Sequence, residues 1–122
     1  MTDSKLVDSS VWLDYFFNGK HTNIIDSKEI LLLSSLSLFE INRKLIKSKQ
    51  NETKIVKSME FIKKRSIVIP LDTKVVEKAV EVSIAHNLPT IDSLIYATSL
   101  TNKAVLITLD NDFRGLKDVL LL

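Results

Sequence analysis

Leu6-Val7-Asp8-Ser9-Ser10-Val11-Trp12 sets an aspartate where a short apolar run gives way to a stretch with helical spacing. Three further segments place an acid in the same way: Ser37-Leu38-Phe39-Glu40, Thr90-Ile91-Asp92-Ser93 and Thr108-Leu109-Asp110-Asn111-Asp112. In a parallel α/β domain such handovers line one edge of the sheet, and ligands of this architecture bind at that edge. Four carboxylates gathered there, Asp8, Glu40, Asp92 and Asp110, repel one another unless a cation sits between them. The pattern points to a metal site and to metal-dependent chemistry.

Outward from these segments the chain alternates strand and helix patterns. Lys5 to Asp8 reads as a buried strand, followed by a helix through Val11–Phe17 that ends near Asn18-Gly19, and by a loop around His21–Ser27. Ile30-Leu31-Leu32-Leu33 has strand length. Ser37-Leu38-Phe39-Glu40 has the form of a capping box opening a helix to about Ser48. Asn51 starts a helix with Ile55, Val56, Met59 and Ile62 at three- and four-residue spacing. Ser66 to Ile69 is a strand stopped by Pro70, and Asp72 caps a helix carrying Val75, Val76, Ala79, Val80 and Ile84 that ends near His86-Asn87. Pro89-Thr90 introduces a helix from Ile91 to about Thr101, Ala104 to Thr108 is a strand, and Val119 to Leu122 is the last. Right-handed crossovers then predict a single three-layer α/β/α domain over residues 1–122, with a mainly parallel sheet of about five strands.

The 122 residues include 45% hydrophobic and 26% charged side chains with only two glycines and two prolines, which suits one domain with its own core. There is no cysteine, so a disulfide framework and a thiolate zinc site are both excluded. The opening Met-Thr-Asp-Ser-Lys lacks signal-peptide regions, and no apolar run is long enough to span a bilayer. A cytoplasmic protein without membrane contact is expected.

The net charge of +2 is unevenly spread. Residues 43–65 hold nine basic side chains against two acidic ones, whereas the rest of the chain holds eight basic and thirteen acidic. Arg43, Lys44, Lys47, Lys54 and Lys57 are the candidates for holding a phosphate backbone beside the acidic pocket. A charge run is also the ordinary form of a solvated helix face.

Each acid has a structural explanation as well. Glu40 fits the third helical position of a capping box, Asp92 favours the positive end of its helix, and Asp110 suits an Asx-turn. Asp8 is harder to explain so, because a charge ending an apolar strand is desolvated unless something pairs with it. Taken together, four accidents on one sheet edge are less plausible than one site. Mg²⁺ and Mn²⁺ take hard oxygen ligands of this kind, and one or two such ions orient and activate water in line with a phosphodiester.

The ordered set LVDSSVW, SLFEINRKL, IDSLIYATSL and LITLDNDF resembles the PIN-domain ribonucleases, especially the small VapC-type toxins of toxin–antitoxin pairs. The resemblance implies that Asp8, Glu40, Asp92 and Asp110 form the catalytic acidic metal site, with Asp112 as a further contributor. Asp110 and Asp112 are left unranked. Ser10 and Thr108 become candidates for orienting a carboxylate or a metal-bound water. The resemblance also implies an RNA substrate, a cognate antitoxin and a homodimer. Trp12, Tyr15, Phe16 and Phe17 suit either a contact surface or plain core. His21 and His86 stand away from every acidic motif and receive no catalytic role.

Two other readings stay open. One is a catalytically silent PIN-fold module that binds RNA or protein. The other is a phosphoryl-transfer domain with Asp8 as nucleophile, against which a haloacid-dehalogenase-like phosphatase would need a second acid where this chain has Ser10.

Overall fold

The computed structural model describes residues 4–122; residues 1–3, on which the expectation about signal-peptide regions partly rests, lie outside the described residues. Strand β1 (Lys5–Val7) leads into α1 (Ser9–Asn18), which ends on Gly19 in the left-handed conformation. After α2 (Thr22–Ile25), β2 (Leu31–Ser34) passes into α3 (Ser35–Lys47) and α4 (Glu52–Arg65). Then come β3 (Ser66–Ile69), α5 (Thr73–His86), α6 (Thr90–Thr101), β4 (Val105–Thr108), a 3-10 turn (Asn111–Phe113) and β5 (Val119–Leu121).

The five strands form one sheet in the order β3-β2-β1-β4-β5, and every pairing is parallel. Chain direction across the sheet therefore reverses at β1. The connections from β1 run outward to β2 and β3, then return past β1 to β4. Such a reversal leaves a crevice at the carboxyl ends of the central strands, here between Asp8 after β1 and Leu109 after β4.

Strand alternation builds the three layers, because successive side chains point to opposite faces. Leu6, Leu32 and Leu106 join Val75, Ala79, Val82 and Ile95 in the core under α5 and α6. Val7, Leu31, Leu33 and Ile107 join Val11, Trp12, Ile41, Leu45 and Ile62 under α1, α3 and α4. Trp12 is fully buried among Tyr15, Phe16 and Phe61, so the aromatic helix is mainly core, with Phe17 at its exposed end.

Local chemistry sets most element ends. The Asn51 side chain accepts from Lys54 N at 3.0 Å and that of Asp72 from Val75 N at 2.9 Å, each satisfying a free donor of a first turn. Ser34 does the same for α3, accepting from Leu36 N at 3.1 Å. This corrects the expected capping box: α3 begins at Ser35, so Ser37 is inside the helix and its buried hydroxyl has no hydrogen-bond partner among the described residues. The loop expected around His21–Ser27 likewise contains the one-turn helix α2. Periodicity cannot announce a four-residue turn, and His21 enters it with a φ of 63° while pairing with Asp14 at 2.7 Å.

Arg65 departs from the expected basic face. Its guanidinium donates to Ile25 O at 2.5 Å and Ser27 O at 2.8 Å, pinning the segment after α2 to the end of α4. In α5 only one side of the apolar pattern is buried; Val76, Val80 and Ile84 face out, Ile84 with 79% exposure. Among the described residues no helix is long and apolar enough to cross a membrane.

Replacing Arg65 by Ala removes charge-assisted hydrogen bonds to two carbonyls. Urea unfolding is expected to register a loss of roughly 2 kcal/mol.

Candidate metal centre

The acids sit where the crevice opens. Asp8 follows β1 and is 7% exposed, with its backbone N–H donating to Ile107 O at 2.9 Å. Two hydroxyls hold its carboxylate by the same oxygen: Ser10 Oγ donates to Oδ2 at 2.9 Å and Thr108 Oγ1 at 2.8 Å. Each hydroxyl also accepts from the backbone beyond β4, Ser10 from Leu109 N at 3.1 Å and Thr108 from Asp110 N at 3.0 Å. These groups lock the ends of β1 and β4 together and leave Asp8 Oδ1 without a hydrogen-bond partner among the described residues.

Beside this lock, Asp92, Asp110 and Asp112 each offer a carboxylate oxygen within 4.8 Å of the others. Asp92 lies in the first turn of α6, whose N-terminus enters after Pro89. Asp110 and Asp112 bracket the start of the 3-10 turn, and Asp110 Oδ1 accepts from Asp112 N at 2.9 Å. The Asx-turn is thus present, and it holds Asp110 in the cluster.

Asp8 and Glu40 stand outside the tight group of three, and their influence on it is electrostatic. Burial first, then the charge of Asp8, push the Glu40 carboxyl above its ordinary range. The nearby Lys44 pulls the other way, and Ser9 Oγ contributes a long hydrogen bond of 3.4 Å. Asp92 is pushed up to about 7, first by burial, then by a hydrogen bond with Asp112, and then by the charges of Asp110, Asp112 and Asp8. A helix N-terminus favours a carboxylate by only about 0.3–1 kcal/mol at exposed sites. Two unit charges 4.8 Å apart repel by roughly 3 kcal/mol at an effective dielectric constant of 20, so the neighbours outweigh the helix. Without a cation, the group lowers its energy by keeping a proton on Asp92.

All five predicted acids therefore line one edge, but the structure ranks them differently. Asp110 and Asp112 both belong to the close group. Ser10 and Thr108 contact Asp8 directly. Ser9 was missed by sequence reasoning; its only sequence signal is its place in the first turn beside Asp8.

A groove of about 360 Å³ lined by Leu36, Phe39, Glu40, Arg43, Lys44 and Ile91 adjoins the edge through Glu40. Arg43 and Lys44 are thereby placed next to the acids. Lys47, Lys54 and Lys57 are exposed on α3 and α4 but take no part in the acidic edge's hydrogen bonds. His21 and His86 are likewise away from it.

A parallel five-stranded sheet with an acidic crevice at its switch point defines a three-layer α/β protein with the donors of a divalent-cation centre. A PIN domain model matches residues 5–119, and the chain belongs to the PIN domain family. No curated protein matches the sequence. Solved structures share the fold at low identity. A toxin–antitoxin complex from Klebsiella pneumoniae matches with a TM-score of 0.80 at 20% identity, over 95% of each chain. VapBC2 from Rickettsia felis, bound to a promoter DNA fragment, matches with a TM-score of 0.79 at 16% identity, over 98% of this chain and 97% of that one. VapC20 from Mycobacterium tuberculosis, described as a sarcin-ricin loop cleaving toxin, gives 0.72 at 18% identity, over 93% and 95%.

A carboxyl whose pKa rises on folding opposes folding once the unfolded chain ionises it. For Asp92 the penalty is absent below about pH 4, grows as pH rises, and levels off near 7. In EDTA, Asp92→Asn is expected to melt at a higher temperature than the parent at pH 8 and at nearly the same temperature at pH 4. Thermal scans across pH 4 to 8 check both the sign and the window.

Proposed function

We propose that the chain is a Mg²⁺- or Mn²⁺-dependent endoribonuclease, a single catalytic domain acting in the cytoplasm as the toxin of a type II toxin–antitoxin pair. The observation that carries this reading is the convergence of Asp92, Asp110 and Asp112 within 4.8 Å, beside Asp8, in a chain of the PIN family. The donor set fits a hard divalent ion: carboxylate oxygens, no sulfur, and a mutual repulsion that raises Asp92. Bound there, such an ion supplies water of lowered pKa and offsets charge on the phosphodiester.

The residues divide the remaining work. Asp92, Asp110 and Asp112 hold the ion, and Asp8 offers its free oxygen from the crevice floor. Glu40 sits at the mouth, where burial and the charge of Asp8 raise its pKa and leave it the group best placed to exchange a proton with substrate or water. Ser10 and Thr108 fix the orientation of Asp8, and Arg43 and Lys44 hold substrate phosphate in the adjoining groove. Lys47, Lys54 and Lys57 extend the cationic surface along the RNA.

The partners follow the same reading. Several similar structures are toxin–antitoxin complexes, which supports a protein antitoxin here. The stripe of Val76, Val80 and Ile84, four residues apart on α5, supports a homodimer, because solvated apolar rows of this kind favour burial against another surface.

Labelled RNAs incubated with the purified protein and Mg²⁺, Mn²⁺ or EDTA test the activity. Metal-dependent cuts that disappear in Asp8→Asn and Asp92→Asn are expected; RNA bound but uncut under every condition would instead mark a silent binding module. Thr108→Val keeps the shape of the strand but frees Asp8, and a fall of about 10–100-fold in cleavage rate is expected. Replacing Lys54 and Lys57 together by Ala is expected to reduce the slope of log affinity against log salt by about 1.4 for a single strand. An unchanged slope would place α4 away from the RNA.

A further inference from the structure

A second cavity lies away from the acidic edge. It is a cleft of about 690 Å³ between the carboxyl half of α5, the end of α6 and the start of β4, lined in part by Val82, His86, Tyr96, Lys103, Lys117 and Asp118. Val105 lines it at one end of β4 and Thr108 contacts Asp8 at the other, so strand length alone separates the two sites by about 10 Å. We propose that this cleft binds a nucleoside phosphate, free or as a unit of an RNA chain, independently of the metal-dependent edge.

The charges favour an anion. Lys78 is paired with Glu81 at 3.3 Å, but Lys103 and Lys117 make no ion pair among the described residues, and Asp118 is the one remaining acid of the lining. The backbone adds an independent observation. Lys103 closes α6 with a φ of 52°, its N–H donating to Leu100 O at 3.2 Å while Ala104 N donates to Ser99 O at 2.9 Å. Glycine is the usual residue at this capping position, because a Cβ in the left-handed region crowds the neighbouring carbonyl. Asp118, on the same cleft, also has a positive φ of 58°, a region that aspartate enters readily. Strained backbone of this sort collects at binding sites, where the side chain rather than the turn is what the position requires.

The walls suit the nucleoside part. Val82, Ala85 and Leu100 are apolar. Tyr96 is 2% exposed, and its hydroxyl donates to Lys117 O at 2.8 Å, which fixes the backbone beneath that lysine. The exposed imidazole of His86 stands edge-on to Tyr96, with ring centroids 6.1 Å apart, and offers a flat surface to a base. The phosphate then lies toward Lys103 and Lys117, where charge-assisted contacts hold it.

The test is an NMR titration of the full chain in EDTA, which keeps divalent ions off the acidic edge, with adenosine 5′-monophosphate, inorganic phosphate and a short oligoadenylate. Shifts are expected at His86 and around Lys103 and Lys117, with the nucleotide binding more tightly than phosphate. Lys103→Gly combined with Lys117→Ala is expected to weaken nucleotide binding about tenfold. Lys103→Gly alone should raise the melting temperature by about 2–4 °C, so lost binding is not lost folding. Tighter binding of the oligoadenylate through the same residues assigns the cleft to RNA, and tighter binding of the mononucleotide assigns it to a free nucleotide. No shifts at millimolar nucleotide, shifts confined to the acidic edge, or equal affinity in the double variant would overturn the proposal. Phosphate binding as tightly as the nucleotide would overturn its nucleoside half. Because no metal or cleavage enters the measurement, its failure leaves the nuclease reading to be judged by RNA cleavage alone.

Discussion

The hydrogen bond from the Thr108 hydroxyl to Asp8 joins residues one hundred positions apart, and the acidic edge depends on it. Parallel pairing of β1 with β4 brings the two strand ends side by side. The hydroxyls of Thr108 and Ser10 then convert that pairing into a fixed carboxylate, because each links Asp8 to a backbone N–H beyond β4. A slip of β4 by one residue would turn Thr108 to the other face of the sheet and carry Asp110 away with it. The buried alternation of Leu106 and Ile107 between the two cores prevents that slip. Packing sets the register, and register sets the site.

The edge works against the stability of the chain that carries it. Neighbouring carboxylates push one another's ionisation upward, and burial adds to the effect at Asp92 and Glu40. The fold tolerates this because neither core includes the acids: the apolar faces of the strands lie below the crevice and are complete without it. Loss of a charged edge residue therefore leaves both cores intact, whereas loss of a residue such as Leu33 or Ile107 acts on the whole domain.

Much of this was legible in the sequence. Strand–helix alternation and continuous apolar runs fixed the layers, and Asn51, Asp72 and Gly19 marked helix ends by well-understood capping chemistry. Asp8 and Asp110 were visible because each stands at a strand end, whereas Asp92 opens a helix that follows another helix and Glu40 lies inside α3, so the handover expected for those two is not what the chain forms. What stayed hidden was decided by tertiary contact. Ser37 and Glu40 have capping-box spacing, but Ser34 is placed by β2 to cap first. Arg65 counts as one more cation in a basic stretch until its reach to Ile25 and Ser27 is seen. The outward row on α5 looks like core by spacing, since periodicity reports that a helix has apolar faces and not which of them is covered. The close grouping of Asp110 and Asp112 with Asp92 depends on a 3-10 turn, too short to leave a periodic signal.

The wide separation of Asp8 from Thr108 and Asp110 also bears on how the chain is made. During synthesis β1, β2 and β3 can pair early, since each follows its neighbour along the chain, but the slot beside β1 stays vacant until β4 has left the ribosome. Asp8 then lacks its two-sided hydroxyl support, and Asp110 and Asp112 have no place to converge. The amino-terminal half of the acidic edge, with Asp8 and Ser10, is therefore made well before the strand and turn that complete it.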